Sequence, residues 1–381
     1  MSVISDRFSF ARLAAIMVKE FIQLKRDRLT FAMMVGIPII QMALFGFAIN
    51  GDPKSLPTAV VAHEQGPFTR SLTAALANSG YFRIVATDWS EGDADRALAE
   101  GEVQFVLTVP AGFARALQRG ERPALLVEAD ATDPSATGNA IGAVQQLATS
   151  ALQHDLVGPL ATLQPAVPAF EWRIHRRYNP EGITQYNVVP GLMGVILTMT
   201  MIMMTALAVT RELERGTMEN LLAMPVRPLE VMVGKIAPYI VIGYVQVAVI
   251  LLVAKLVFSV PFAGSLLLLL MGVLAFIAAS LTVGITISSI ARSQMQAMQM
   301  TFFFFLPSIL LSGFMFPFRG MPEWAQHLGS LLPLTHFLRF IRGVMLKGND
   351  LAQLWTHLWP LLLFMAIVLA IGLKRFRRTL D

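Results

Sequence analysis

The chain has 381 residues, of which 55% are hydrophobic and 14% charged, with no cysteine and a formal net charge of +5. A mean hydropathy of +0.60, with far fewer charges than the roughly 25% of soluble domains, marks an integral membrane protein. Disulfides, thiolate metal sites and cysteine nucleophiles are excluded; the positive charge is first sorted by membrane side, and no nucleic-acid partner is expected.

Taken in order, residues 8 to 28 place Phe10, Leu13, Met17, Phe21 and Leu24 on one helical face and Arg12, Lys19, Gln23 and Arg26 on the other. That spacing predicts an amphipathic helix lying on the membrane surface, within a cytoplasmic segment 1–30. No charge appears between Leu29 and Gly51, so residues 31–50 are expected to form the first span. Arg26 and Arg28 before it and Asp52 after it put its start in the cytoplasm. The leader is too long and Phe47-Ala48-Ile49-Asn50 too bulky for a cleavable signal peptide, so the span is expected to be retained.

Residues 51–185 change character. Strands are predicted at Thr58 to Ala62, Arg83 to Ala86, Phe105 to Val109 and Ala124 to Glu128. Helices are predicted at Thr69 to Ala77, Asp93 to Glu100, Gly112 to Gln118 and over residues 135 to 157. This alternation predicts an α/β domain inserted on the outer, periplasmic side. Further spans are expected at Asn187 to Val209, Ile236 to Val257, Ser265 to Ser288, Met298 to Phe316 and Leu354 to Leu373. Lys374, Arg375, Arg377 and Arg378 then hold the C-terminal end in the cytoplasm, which gives six transmembrane helices with both ends inside.

Two stretches between spans stand out. Residues 211–226 carry Arg211, Glu212, Glu214, Arg215 and Glu219 between two uncharged runs, and so form a cytoplasmic loop. A short surface helix is expected after Gly216-Thr217, stopped by Pro225 and Pro228. Residues 318–350 lie outside in this scheme yet contain Arg319, Arg339, Arg342 and Lys347 among Leu331, Leu334, Phe337, Leu338 and Ile341. Two re-entrant half-helices dipping into the outer leaflet, with their cations facing headgroups, reconcile the two patterns.

Signatures of catalysis are missing. No Gly-x-x-x-x-Gly-Lys-Ser/Thr and no His-Glu-x-x-His occurs, so neither ATP hydrolysis by this chain nor a metal centre is expected. His336 and His357 fall near span ends, where an interfacial histidine satisfied by water or backbone is the ordinary case. Lys255 is expected to snorkel. Gln41, Thr198, Thr200, Thr205, Gln246, Thr282, Thr286, Gln299 and Ser308 are the polar residues inside spans. Such groups commonly join helices, and a cargo path would have to be assembled from the same set, with Thr198, Thr205, Gln246, Gln299 and Ser308 as its candidates.

The segment Glu212-Leu213-Glu214-Arg215-Gly216-Thr217-Met218-Glu219-Asn220-Leu221-Leu222-Ala223-Met224-Pro225-Val226 resembles the coupling segment of ABC-2 type transporter permeases. Arg177-Tyr178-Asn179-Pro180, Leu311-Ser312-Gly313-Phe314-Met315-Phe316-Pro317 and Leu332-Pro333-Leu334-Thr335-His336-Phe337 extend the likeness over nearly the whole chain. The resemblance is to the multidrug-efflux subgroup with a large external domain, and it implies an ABC-2, or type V exporter, membrane fold in a bacterial inner membrane. It also implies a second permease, identical or related, and two cytoplasmic ATPase subunits that hold ATP and Mg, with no cofactor on this chain. Glu212, Glu214, Arg215, Gly216, Thr217, Glu219, Leu222, Met224 and Pro225 would then contact the ATPase. Membrane lipid and a periplasmic adaptor are further partners that such an assembly admits. A greasy path with scattered hydrogen-bonding groups suits a hydrophobic or amphipathic cargo, such as a drug-like molecule or a lipid. An ion-exporting permease and a membrane receptor with an external sensing domain remain as alternatives, although every cytoplasmic stretch is too short for a signalling domain.

Overall fold

The computed structural model describes residues 53–156, 169–214 and 228–378. The surface helix expected at residues 8–28, the first span and residues 215–226 of the charged segment lie outside the described residues.

The first part of the chain folds as a five-stranded sheet of order β2-β1-β3-β4-β5. It comprises β1 (Leu56–Ala62), α1 (Pro67–Asn78), β2 (Phe82–Ala86), α2 (Glu91–Glu100), β3 (Phe105–Val109), α3 (Phe113–Gln118), β4 (Ala124–Asp130), α4 (Pro134–Ser150) and β5 (Glu171–Arg177). β1 runs parallel to both β2 and β3, β4 is antiparallel to β3, and β5 is parallel to β4. The period of two decides which face each residue serves. Val60 joins Phe68, Leu72, Leu76 and Phe105 in the larger core, while its neighbours Ala59 and Val61 pack with Ala94, Ala97 and Leu98 of α2 on the other face. α2 begins where Ser90 accepts the Asp93 amide and ends at Gly101, whose φ of 77° a side chain would oppose.

Two local readings differ from the sequence pattern. β5 was not expected, because Glu171, Arg173 and His175 alternate with only Trp172 and Ile174 as apolar partners; the strand is an exposed edge. α4 starts at Pro134 behind the Asp133 cap and stops at Ser150, short of the expected 157.

The second part is helical: α5 (Thr184–Glu214), α6 (Pro228–Leu256), α7 (Leu266–Ser288), α8 (Gln294–Leu311), α9 (Glu323–Ser330), α10 (Pro333–Arg342) and α11 (Leu351–Arg378). Among the described residues, four helices are long and apolar enough to cross a membrane, at Thr184–Glu212, Pro238–Leu256, Leu266–Ser288 and Leu351–Gly372. These match the second, third, fourth and sixth expected spans. The fifth falls on α8, whose first turns carry Gln294, Gln296 and Gln299 and which is not one of the four. Pro228, expected to stop a helix, instead opens α6, a position where its missing N–H costs nothing.

α7 is apolar all round and sits at the centre, packed by α5, α6, α10 and α11. Close approach is permitted by glycine. A side chain at Gly272 of α7 would overlap the Phe340 ring of α10, and one at Gly194 of α5 would press into Leu334 and Phe337. Phe337 in turn stacks on Phe276 with centroids 4.1 Å apart. Residues 318–350 thus form two short helices, α9 and α10, preceded by a 3-10 turn at Phe318–Gly320 and closed by a π turn at Gly343–Lys347.

Because Gly272 faces a filled space, Gly272→Leu should destabilise the protein by about 1–3 kcal/mol or more. Gly142 on α4 faces open space, so Gly142→Ala should be neutral or stabilising by up to about 1 kcal/mol. Thermal unfolding in detergent checks both, and equal melting of the two variants would contradict the packing of α10 on α7.

Candidate functional site

Two regions gather polar residues, one at each end of α5. At its C-terminal end, Glu214 accepts the backbone amide of Gln294 at 2.8 Å and also the Gln294 side-chain amide. Arg211 Nε donates to Gln294 Oε1 at 3.4 Å. The first residue of α8 therefore clamps the last turn of α5, and the two hydrogen bonds from Gln294 hold the Glu214 carboxyl below the ordinary glutamate range. Glu212 and Glu214 are placed at this end. Arg215, Gly216, Thr217, Glu219, Leu222, Met224 and Pro225 lie outside the described residues. Gln294 was missed by sequence reasoning, since a glutamine at a helix start carries no signal of a distant partner.

Among the polar residues of the spans, Thr198, Thr205 and Ser308 are buried and each donates to a carbonyl four residues back in its own helix, at 2.7, 2.8 and 2.7 Å. Thr200 joins α5 to Gln246 of α6 at 2.9 Å. Gln299 Oε1 is buried with no hydrogen-bond partner among the described residues.

At the other end of α5, the Arg177-Tyr178-Asn179-Pro180 motif links sheet to helix. Asn179 is fully buried; its side chain accepts the Ile183 amide at 2.9 Å and donates to the Ile183 carbonyl at 3.0 Å, closing the turn into α5. Arg177 binds Glu128 at 2.7 Å and Asp95 at 3.0 Å, and the Glu128 contact raises its pKa further. Burial pushes the neighbouring Tyr178 phenol up.

Lys347, closing the π turn, lies against this motif. Its Nζ pairs with Asp130 at 2.6 Å, both side chains being 9% exposed, and donates to the Leu98 carbonyl at 3.1 Å. Asn349 donates to the Ala99 carbonyl at 2.9 Å and Arg319 to the Gly101 carbonyl at 2.7 Å. Three side chains from the 318–350 stretch thus cap the C-terminal turn of α2, where the helix dipole favours cations. This corrects for Lys347 the expectation that the stretch turns its cations to headgroups, since Asp130 and the Leu98 carbonyl take its ammonium, while Arg319 gives the α2 end its Nη2 alone. His336 Nε2 donates to the Ser330 carbonyl at 2.7 Å, while its Nδ1 is buried without a hydrogen-bond partner among the described residues, so the expected satisfaction by backbone holds for one ring nitrogen. A cavity of about 170 Å³ lies between the two parts, lined by Arg319, Arg339, Arg342, Lys347 and His357 among others.

The family model for ABC-2 family transporter proteins matches residues 28–374, across both parts and the junction between them. The chain belongs to the ABC-2 transporter family. The permease is 29% identical over 369 residues to the probable multidrug ABC transporter permease YbhR of Escherichia coli K12, covering 97% of this chain and 99% of that one. It is 29% identical over 379 residues to the probable multidrug ABC transporter permease YbhS of the same strain, covering 98% of each. It is also 27% identical over 372 residues to the E. coli inner membrane transport permease YhhJ, covering 95% of this chain and 96% of that one. Family and apolar helices together make it a multi-pass membrane protein.

Two outcomes are expected of the permease. Lys347→Met should destabilise it by about 3–5 kcal/mol, because Asp130 is left buried without its partner. Adding Asp130→Leu should recover part of that loss, and equilibrium unfolding of the single and double variants measures the difference. The Glu214 contact is present above the ordinary glutamate pKa and is lost as pH falls through the depressed value. A carboxyl-carbon NMR titration of Glu214 should therefore show a low midpoint that returns upward in Gln294→Ala.

Proposed function

We propose that the permease is the membrane half of an ATP-driven exporter that moves a hydrophobic or amphipathic cargo, a drug-like molecule or a lipid, out of the cytoplasm or inner leaflet. The observation that carries this reading is the charged segment at residues 211–226, flanked by the long apolar helices α5 and α6 in a chain matched over residues 28–374 by the ABC-2 family. A charged element between two spans, on a protein with no phosphate-binding loop, suits docking to a separate ATPase that binds ATP and Mg. The names of the two multidrug relatives support the cargo class. The apolar stripe of Val241, Val245, Val249 and Leu252, exposed along α6, suits contact with lipid or a second permease. Six spans, cytoplasmic ends and an external α/β domain complete the scheme.

In it, Glu212, Glu214, Arg215 and Glu219 supply polar contacts to one of two ATPase subunits and Leu222 and Met224 an apolar anchor, with Gly216, Thr217 and Pro225 in the same contact segment. ATP-driven closure of the ATPases would push this segment and shift the spans. The double change Glu214→Ala with Glu219→Ala should leave membrane insertion intact and weaken ATPase association. Gln294→Ala, which removes the side-chain contacts of Gln294 to Glu214 and Arg211, should leave association in place. Reconstituted with its ATPase, the wild-type protein should show ATPase stimulation by hydrophobic cations or lipids. Undiminished association in the double variant, or stimulation by sodium or potassium alone, defeats the proposal.

A further inference from the structure

The cavity between the α/β region and the 318–350 stretch holds a charge imbalance that the junction does not resolve. Of the acids lining it, Asp130 is committed to Lys347, and Asp133 accepts from Ser135 N at 3.1 Å and Ser135 Oγ at 2.6 Å. Asp133 keeps its charge, so it and Glu100 are two carboxylates lining the cavity with three guanidinium groups, those of Arg319, Arg339 and Arg342.

None of the three is ion-paired among the described residues. Arg319 donates to neutral carbonyls of α2, and Arg339 lies over the Phe318 ring, 4.4 Å from its centroid. Arg342 gives one nitrogen to the Gly313 carbonyl at 3.3 Å, while its Nε and Nη2 are buried without a hydrogen-bond partner among the described residues. A guanidinium held in this way presents a planar fork of donors, matched in geometry and charge by an oxyanion.

The surroundings fix the depth. His357, which lines the cavity, stands on α11 within one turn of Trp355 and Trp359, both exposed. Exposed tryptophans on a spanning helix sit at headgroup level. On α9 and at its C-cap, Trp324, Leu328 and Leu331 follow at intervals of four and three and leave an exposed apolar face.

We propose that this cavity binds the phosphate group of an anionic lipid headgroup, with Arg342, Arg339 and Arg319 as its ligands and the Lys347–Asp130 pair as its fixed wall. The site stands apart from the export reading, since binding requires neither ATPase nor cargo.

The test uses the full-length permease, delipidated in a neutral glycoside detergent, with thermal unfolding as the readout. Short-chain phosphatidylglycerol and inorganic phosphate are titrated separately, each against chloride of matched ionic strength. Phosphatidylglycerol should raise Tm saturably, and Arg342→Gln or Arg319→Gln should weaken its apparent affinity roughly tenfold or more. Arg292→Gln, remote from the cavity, should leave the affinity unchanged. If Arg342→Gln does not fold, Arg319→Gln carries the comparison. A saturable, Arg319-dependent rise with inorganic phosphate but none with the lipid would keep a phosphate site and overturn its assignment to lipid. No saturable rise with either ligand, or equal rises in Arg319→Gln and Arg292→Gln, would overturn the site altogether.

Discussion

The ion pair between Lys347 and Asp130 is the contact on which the arrangement of the two parts depends. Two charges at 9% exposure are costly to bury, and the pair is tolerable only because each partner has further bonds. Asp130 takes Lys347 on one oxygen and, on the other, the amide and hydroxyl of Thr132 at 3.1 and 2.8 Å. Lys347 gives a second donor to Leu98 and lies 5.2 Å from the Tyr178 ring centroid. The partners of such a pair cannot slide by a residue without leaving a charge alone. A register is thereby imposed on sheet and helices that a purely apolar interface would enforce less strictly.

The same contact accounts for the cations that contradict the positive-inside pattern. Lys347, Arg319 and Asn349 donate to the Leu98, Gly101 and Ala99 carbonyls at the end of α2, where few backbone donors remain. Charge-based topology assumes that a loop cation faces water or headgroups. Here a helix terminus on a folded domain competes for it and takes it, a choice that depends on residues more than two hundred positions away in the chain.

That distance divides what was legible from what was not. The apolar runs of β1 and β3 and the uncharged lengths of α5, α7 and α11 speak for themselves, because burial or lipid dictates them locally. β5 does not, since Glu171, Arg173 and His175 read as loop until Glu128 and Ala129 of β4 supply its ladder. The polar span residues were visible as types but not as roles. Thr198, Thr205 and Ser308 spend their hydroxyls on their own helices, an economy that sequence cannot distinguish from a group reserved for cargo. Of residues 211–226, the described end of α5 is related to a partner within the chain, and that partner, Gln294, is recognisable solely by distance.

α5 joins these observations mechanically. Its 31 residues make a rod of roughly 46 Å at 1.5 Å per residue, running from the Asn179 cap beside the junction to the Gln294 clamp at the charged end. Between those points Gly194 seats Leu334 and Phe337 of α10 with no slack, so α5 and α10 cannot move independently over that contact. Pro190, close to the sheet end, removes one internal hydrogen bond and marks where bending is easiest. A displacement imposed at Glu214 would therefore pass up the rod, carry α10 with it, and be taken up near Pro190, beside Gly191, which faces Phe314 and Arg342. Because the Lys347–Asp130 pair resists sliding, the movement would reach the arginine cavity as a tilt of α10, the helix that carries Arg339 and Arg342.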